Sequence, residues 1–248
     1  MDTHKVVSEN GDGNAKHDEP IMWNLVADIS QGLQISFASI KAAFSSLLGG
    51  DIFWDQATQH EFMQTIDKSI DDISGLTAVM TIAMRAESQT LTIRREPNSL
   101  QEILSQARDL VQKEITPVPT TLALPAESRL AFVDFEYLRL ALRLLLEVLV
   151  SARPRPDDTL SIRVLEKATE WQIIIEGDFY SSANDIIAWF CHDAPDRSRF
   201  PVNLRSETRL KALVAHQLLT LQTIRMATND ADVNGDALVL FVPFQTEA

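Results

Sequence analysis

The chain has 248 residues and carries 35 acidic against 22 basic side chains, a formal net charge of −13. That length allows one large domain or two modest ones, and the charge argues against general nucleic-acid binding, which needs clustered Lys and Arg. The single cysteine, Cys191, excludes an internal disulfide and a multi-cysteine metal site, and it fits the cytosol.

Residues 1–20 are polar and charged, with no apolar centre of the kind a secretion signal needs, and read as a disordered tail. A first helix starts near Pro20 and runs to about Leu48. Its apolar residues Leu25, Ile29, Leu33, Phe37, Ile40, Phe44 and Leu47 recur at steps of three and four, and Gly49-Gly50 stops it. A long amphipathic helix needs a partner for its stripe. The partner is a second helix, capped by Asp55 or a neighbour and reaching about Ala86. Phe62, Ile66, Ile70, Ile73, Leu76 and Met80 line one face, and Asp67, Lys68, Asp71 and Asp72 the other. Together these helices predict an antiparallel hairpin over 21–88. One hairpin buries only part of its stripe, whereas two copies make a four-helix bundle. The expectation is a homodimer through Leu25, Ile29, Leu33, Phe37, Ile40, Phe62, Ile66, Ile70 and Ile73.

Residues 89–248 predict a second unit. Leu91-Thr92-Ile93 alternates like a short strand that Pro97 and Asn98 break, and Ser99 with Glu102 forms a capping box for a helix to about Glu114. Two short strands, Thr120–Leu124 and Arg129–Val133, lie on either side of Pro125. Asp134 opens an apolar helix through Ala152. Leu138–Leu149 is the most apolar run, but Arg139, Arg143 and Glu147 interrupt it and it is too short to span a bilayer. Leu160–Leu165 and Trp171–Ile175 read as a hairpin, Ile186–Cys191 as a short helix and Ser206–Leu221 as an amphipathic helix. Ile224–Thr228 and Leu238–Pro243 finish the sheet. This order predicts an α+β layered sandwich, with helices on one face of a mixed sheet.

Several stretches then resemble the sensor histidine kinases of two-component signalling. Ile29-Ser30, Leu33 and Ser39-Ile40 stand where that family's phospho-acceptor helix reads I/V-S-H-E-L-R-T-P-L-x-S-I. Glu87, Leu91, Ile93, Glu96-Pro97, Leu100, Glu102 and Leu104 match its exit from the second helix. The resemblance covers about residues 21–244. It implies a dimerisation hairpin followed by an ATPase-type sandwich (the Bergerat fold). The family's chemistry is missing where the resemblance places it. Gln31 stands at the phospho-accepting histidine, Gly32 at the following acid and Ser36 at the proline. Counted from Asp134, the two metal-binding asparagines fall on Leu144 and Val148, neither an oxygen ligand for a hard cation. The adenine-binding aspartate falls on Gly177, with Asp178 beside it and Phe179 and Ser181 at the glycines that should follow. The second glycine-rich loop falls on Thr208–Leu213, which has no glycine.

The resemblance therefore implies a catalytically inactive, cytoplasmic pseudokinase without cofactor or metal. It would act as a dimeric adaptor or regulator, binding a response-regulator receiver domain or an active histidine kinase through Gln31, Gln34, Ile35, Ala38 and Lys41. Two alternatives remain: a histidine phosphotransferase using another acceptor such as His60, or a nucleotide binder with a rebuilt pocket. His192 beside Cys191 and Asp193 makes no zinc site, and His216 lies inside the last helix without companions. Asp230–Gly235 begins like a calcium loop, but its twelfth position is Phe241, so it reads as a hairpin turn.

Overall fold

The computed structural model describes residues 19–49, 54–114, 120–125, 129–151, 159–177, 181–192, 205–228 and 237–244. Helices α1 (Glu19–Leu48) and α2 (Gln56–Glu87) form the hairpin. At its loop end the Trp54 indole N–H donates to the Ser46 carbonyl at 2.8 Å, and the Trp54 ring packs edge-on against Phe62 with centroids 5.3 Å apart. Asp55 caps α2 by accepting the Thr58 N–H at 2.8 Å, which offsets one of the orphan donors of the first turn.

Strand β1 (Glu96–Asn98) follows, then α3 (Leu100–Glu114), β2 (Thr120–Ala123), β3 (Ala131–Val133) and α4 (Phe135–Ser151). The next elements are β4 (Leu160–Glu166), β5 (Glu170–Gly177), α5 (Ser181–Phe190), α6 (Ser206–Leu221), β6 (Arg225–Thr228) and β7 (Leu238–Pro243). The main sheet has the order β2-β4-β5-β7-β6, with β2 parallel to β4 and the other pairs antiparallel. Alternate residues on its strands, among them Ile162, Trp171, Ile173, Ile175, Leu240 and Val242, join α3, α4, α5 and α6 in one core. Ile174, Val239 and Phe241 form a separate small cluster. The period of two along β5 and β7 produces that division. This is the expected α+β sandwich.

Two details differ from the sequence expectation. Leu91–Ile93 forms no strand. The strand lies further on, at Glu96–Asn98, and contains the Pro97 expected to break it. It pairs only with β3 in a two-stranded sheet, Pro97 opposite Phe132, and such an edge strand tolerates the missing N–H. Leu91 instead packs against the core. The strands on either side of Pro125 go to different partners: β2 joins β4, and β3 joins β1. At α3, Ser99 Oγ accepts the Glu102 N–H at 3.3 Å, while the Glu102 carboxylate accepts from Gln106. The cap is therefore present without the reciprocal half of a capping box.

The core does not stop at the end of α2. Ile29 on α1 and Leu76, Val79 and Ala83 on α2 are buried in the same cluster as α6, which packs against α4 on one side and the hairpin on the other. Polar bonds reinforce the junction. Gln217 donates to Glu87 at 3.0 Å, and the Arg95 guanidinium donates to the Leu221 carbonyl at 2.9 Å. Asp134 accepts the Arg94 N–H at 2.9 Å and the Tyr137 N–H at 3.1 Å. Its own N–H donates to the buried Gln222 at 2.8 Å.

Candidate partner surface and the α4–α6 layer

Helix α1 has three sides. Its inner side carries Gly32, Leu33, Ser36, Ile40 and Ala43, none of them fully exposed. A Cβ built on Gly32 would lie 3.2 Å from Leu76 Cδ2, so the small residue suits the closeness of the two helices. The outer side and one flank carry Gln31, Gln34, Ile35, Ala38 and Lys41, all exposed, with Ile35 at 61 %. The other flank carries Phe37, Phe44 and Leu48, also exposed. On α2, Met63, Ile70 and Met84 are exposed at spacings of seven and fourteen. In an antiparallel pair these two rows border the same edge of the hairpin. The hairpin thus presents a mostly polar ridge around Gln31 and a separate apolar edge.

The residues expected at a dimer interface divide accordingly. Phe37 and Ile70 are exposed on that edge, and Leu33, Ile40, Phe62, Ile66 and Ile73 are half-buried between the helices. Ile29 is only 4 % exposed and sits in the core of its own chain. Leu25 belongs to α1, but its side chain lies outside the described residues.

The sandwich positions behave differently. Leu144 and Val148 are buried among the apolar residues of α4. Neither opens on the surface of the helical layer, so both act as core residues. Glu147 is the buried charge of α4. Its carboxylate accepts from Arg143 Nε at 2.7 Å and pairs with Lys211 Nζ of α6 at 2.9 Å. Lys211 also pairs with Glu207 at 2.6 Å. Burial pushes the Lys211 ammonium down, but Glu147 and Glu207 outweigh it and hold it above its ordinary value. Arg143 also borders a shallow cavity of about 170 Å³ with Leu110, Glu136, Tyr137, Arg139 and Leu140. The i,i+4 spacing of Arg143 and Glu147 was readable in the sequence; the approach of Lys211 was not.

Gly177 ends β5 opposite Leu160, and Thr208–Leu213 lies within α6 rather than in a loop. Asp178, Phe179, Asp193 and Asp230–Gly235 lie outside the described residues, as does the tail up to Asp18; the side chain of Ser181 does too. Phe241 is in β7. His60 is exposed, with Nε2 3.0 Å from the Gln64 amide. His216 is buried on α6, with Nε2 3.2 Å from the His192 carbonyl and its ring against Trp189 and Phe190. The half-buried Cys191 thiol is pushed up to about 11 by burial, which keeps it protonated at neutral pH. Among the described residues, no three His, Cys, Asp or Glu side chains group as a metal site, and no helix is long and apolar enough to cross a membrane.

No protein-family profile matches the sequence, and no curated protein does. Solved structures do match. The histidine kinase AdeS of Acinetobacter baumannii superposes with a TM-score of 0.60 at 12 % identity, covering 86 % of this chain and 98 % of that one. Full-length ShkA in complex with AMPPNP gives 0.56 at 10 % identity, over 93 % of this chain and 46 % of its own. A bacterial phosphotransferase gives 0.51 at 13 % identity, over 91 % and 96 %. The chain has a histidine-kinase-like fold, a helical hairpin followed by an ATPase-type α+β sandwich.

Proposed function

We propose that this protein is a pseudokinase of two-component signalling: a cytoplasmic homodimer that binds a receiver domain, or an active histidine kinase, without transferring phosphate. The observation that carries the proposal is the exposed ridge of α1. Gln31 stands there, mid-helix, where the resemblance to histidine kinases puts the phospho-acceptor, with Gln34, Ile35, Ala38 and Lys41 around it. A carboxamide can hydrogen-bond a partner, but it is far too weak a nucleophile to accept a phosphoryl group. The buried Leu144 and Val148 support the absence of a nucleotide–metal site of the usual kind.

Dimerisation rests on the apolar edge. Phe37, Phe44, Met63 and Ile70 are large, exposed and on one side of the hairpin, and covering a side chain of this size stabilises by about 1.5–3 kcal/mol. Because Ile29, Leu76, Val79 and Ala83 face α6, the shared bundle is confined to the half of the hairpin nearer its loop.

The test is to incubate the protein with a phosphorylated receiver domain and to measure both label and binding. No label should transfer. Ile35→Asp and Lys41→Glu should weaken binding, and His60→Ala should leave it unchanged. His60 is the exposed histidine of the hairpin, and a phosphotransferase is among the fold neighbours. Acid-labile phosphate that disappears in His60→Ala would therefore overturn the pseudokinase and establish a phosphotransferase.

A further inference from the structure

Two exposed charges border the apolar edge of the hairpin, Lys41 on α1 and Asp67 on α2. Lys41 follows Phe37 by four residues and precedes Phe44 by three, and Asp67 stands in the same relation to Met63 and Ile70. Each therefore shares a side of its helix with those neighbours. Leu33 and Ile40 on α1 and Ile66 and Ile73 on α2 are half-buried between the helices, so the two charges stand at opposite borders of the edge. They are also level along it. Gly32 meets Leu76 across the hairpin, where a Cβ would lie 3.2 Å from Leu76 Cδ2. Lys41 is nine residues beyond Gly32 on α1, Asp67 is nine before Leu76 on the antiparallel α2, and equal counts give equal rise. Among the described residues neither charge has an ion-pair partner in its own chain.

We propose that Lys41 and Asp67 orient the dimer, Lys41 of each copy pairing with Asp67 of the other. The occupant of the apolar edge is then a second hairpin of this chain, lying parallel to the first with its loop at the same end. A two-fold axis along the bundle sets α1 of one copy against α2 of the other without changing height. Opposite charges then meet twice, once on each side of the apolar seam. In an antiparallel pair α1 would face α1 and α2 would face α2, and like charges would border the seam. Exposed ion pairs add little stability, but charges flanking an apolar seam select partner and orientation. The seam itself suits a helical occupant: Phe37 and Phe44 are seven residues apart, as are Met63 and Ile70, the spacing at which packed helices keep their seam together. The inference rests on the apolar edge being a dimer interface, as proposed above.

Charge exchange is the test, read by sedimentation and by native mass spectrometry of differently tagged full-length chains. Lys41→Glu places like charges at both contacts, and so does Asp67→Lys. Each should weaken the dimer about tenfold at low salt, and high salt should narrow the difference. Mixing the two variants should give more heterodimer than the statistical share, because every contact in the mixed dimer joins opposite charges. The double variant should dimerise like wild type. Asp72→Lys, the same charge change on another side of α2, should leave the dimer unchanged. A wild-type dimer whose two single variants mix at random would overturn the pairing and leave the apolar interface standing. A monomeric wild type would overturn the interface and the pairing together.

Discussion

The hairpin and the sandwich treat their large apolar side chains in opposite ways. In the sandwich, Trp171, Phe190, Leu138, Leu142 and Leu145 are wholly enclosed by the same chain. In the hairpin, Phe37, Phe44, Leu48, Met63, Ile70 and Met84 lie open. In the sandwich the inner helix is covered on both sides: α6 meets α4 on one side and the hairpin on the other. Two helices alone cannot enclose a stripe that runs round more than one side of each. The sandwich closes over its own core, Leu144 and Val148 included, and the hairpin leaves an apolar surface open.

The largest effect should come from forcing the sandwich open. Leu144→Asn and Val148→Asn restore the residue type that the kinase resemblance calls for, yet they put an amide into an apolar core. Each should destabilise by about 3 kcal/mol or more, measured by urea unfolding, and calorimetry with millimolar ATP and Mg²⁺ should show no binding heat. A stable Leu144→Asn protein that binds ATP would erase the distinction between the two regions. Ile70→Asp comes next. It places a charge on the apolar edge, and light scattering should show the wild-type dimer reduced to monomer while the sandwich keeps its fold. A wild type that is monomeric at micromolar concentration would refute the bundle.

Smaller effects sharpen the contrast within α1. Phe37→Asp should impair dimerisation and leave receiver binding intact, whereas Ile35→Asp should do the reverse, because the two side chains sit on opposite flanks. The smallest effect is at Asp55. Its bonds to Thr58, from side chain and backbone, hold its carboxyl below the usual aspartate value. The native pKa being lower than the unfolded one, its contribution is present above the unfolded value and is lost as pH falls through the folded value. Asp55→Ala should lower the melting temperature slightly at neutral pH, and the gap to wild type should close in acid.

Much of this could be read from residue order. The steps of Leu33, Phe37, Ile40 and Phe44 announce α1, Asp55 and Ser99 announce two caps, and the alternation from Leu160 to Ile175 announces the β4–β5 pair. Periodicity and capping are local, so they survive in the sequence. The strand at Glu96–Asn98 was hidden because Pro97 argues locally against it, and its pairing with Ala131–Val133 depends on a segment more than thirty residues away. Gln31 could be picked out because resemblance fixed its place on the helix.

The helices, most strands and the amphipathic stripes follow from residue order alone. How each stripe is used depends on the packing of the elements in space. That packing buries Ile29, Leu76, Val79 and Ala83 in the core shared with α6 and leaves Phe37, Phe44 and Ile70 uncovered. It also turned Leu144 and Val148 into the core and brought Lys211 to Glu147 across two helices. Burial depends on which surfaces meet in space, whereas periodicity records only which residues share a side of one element.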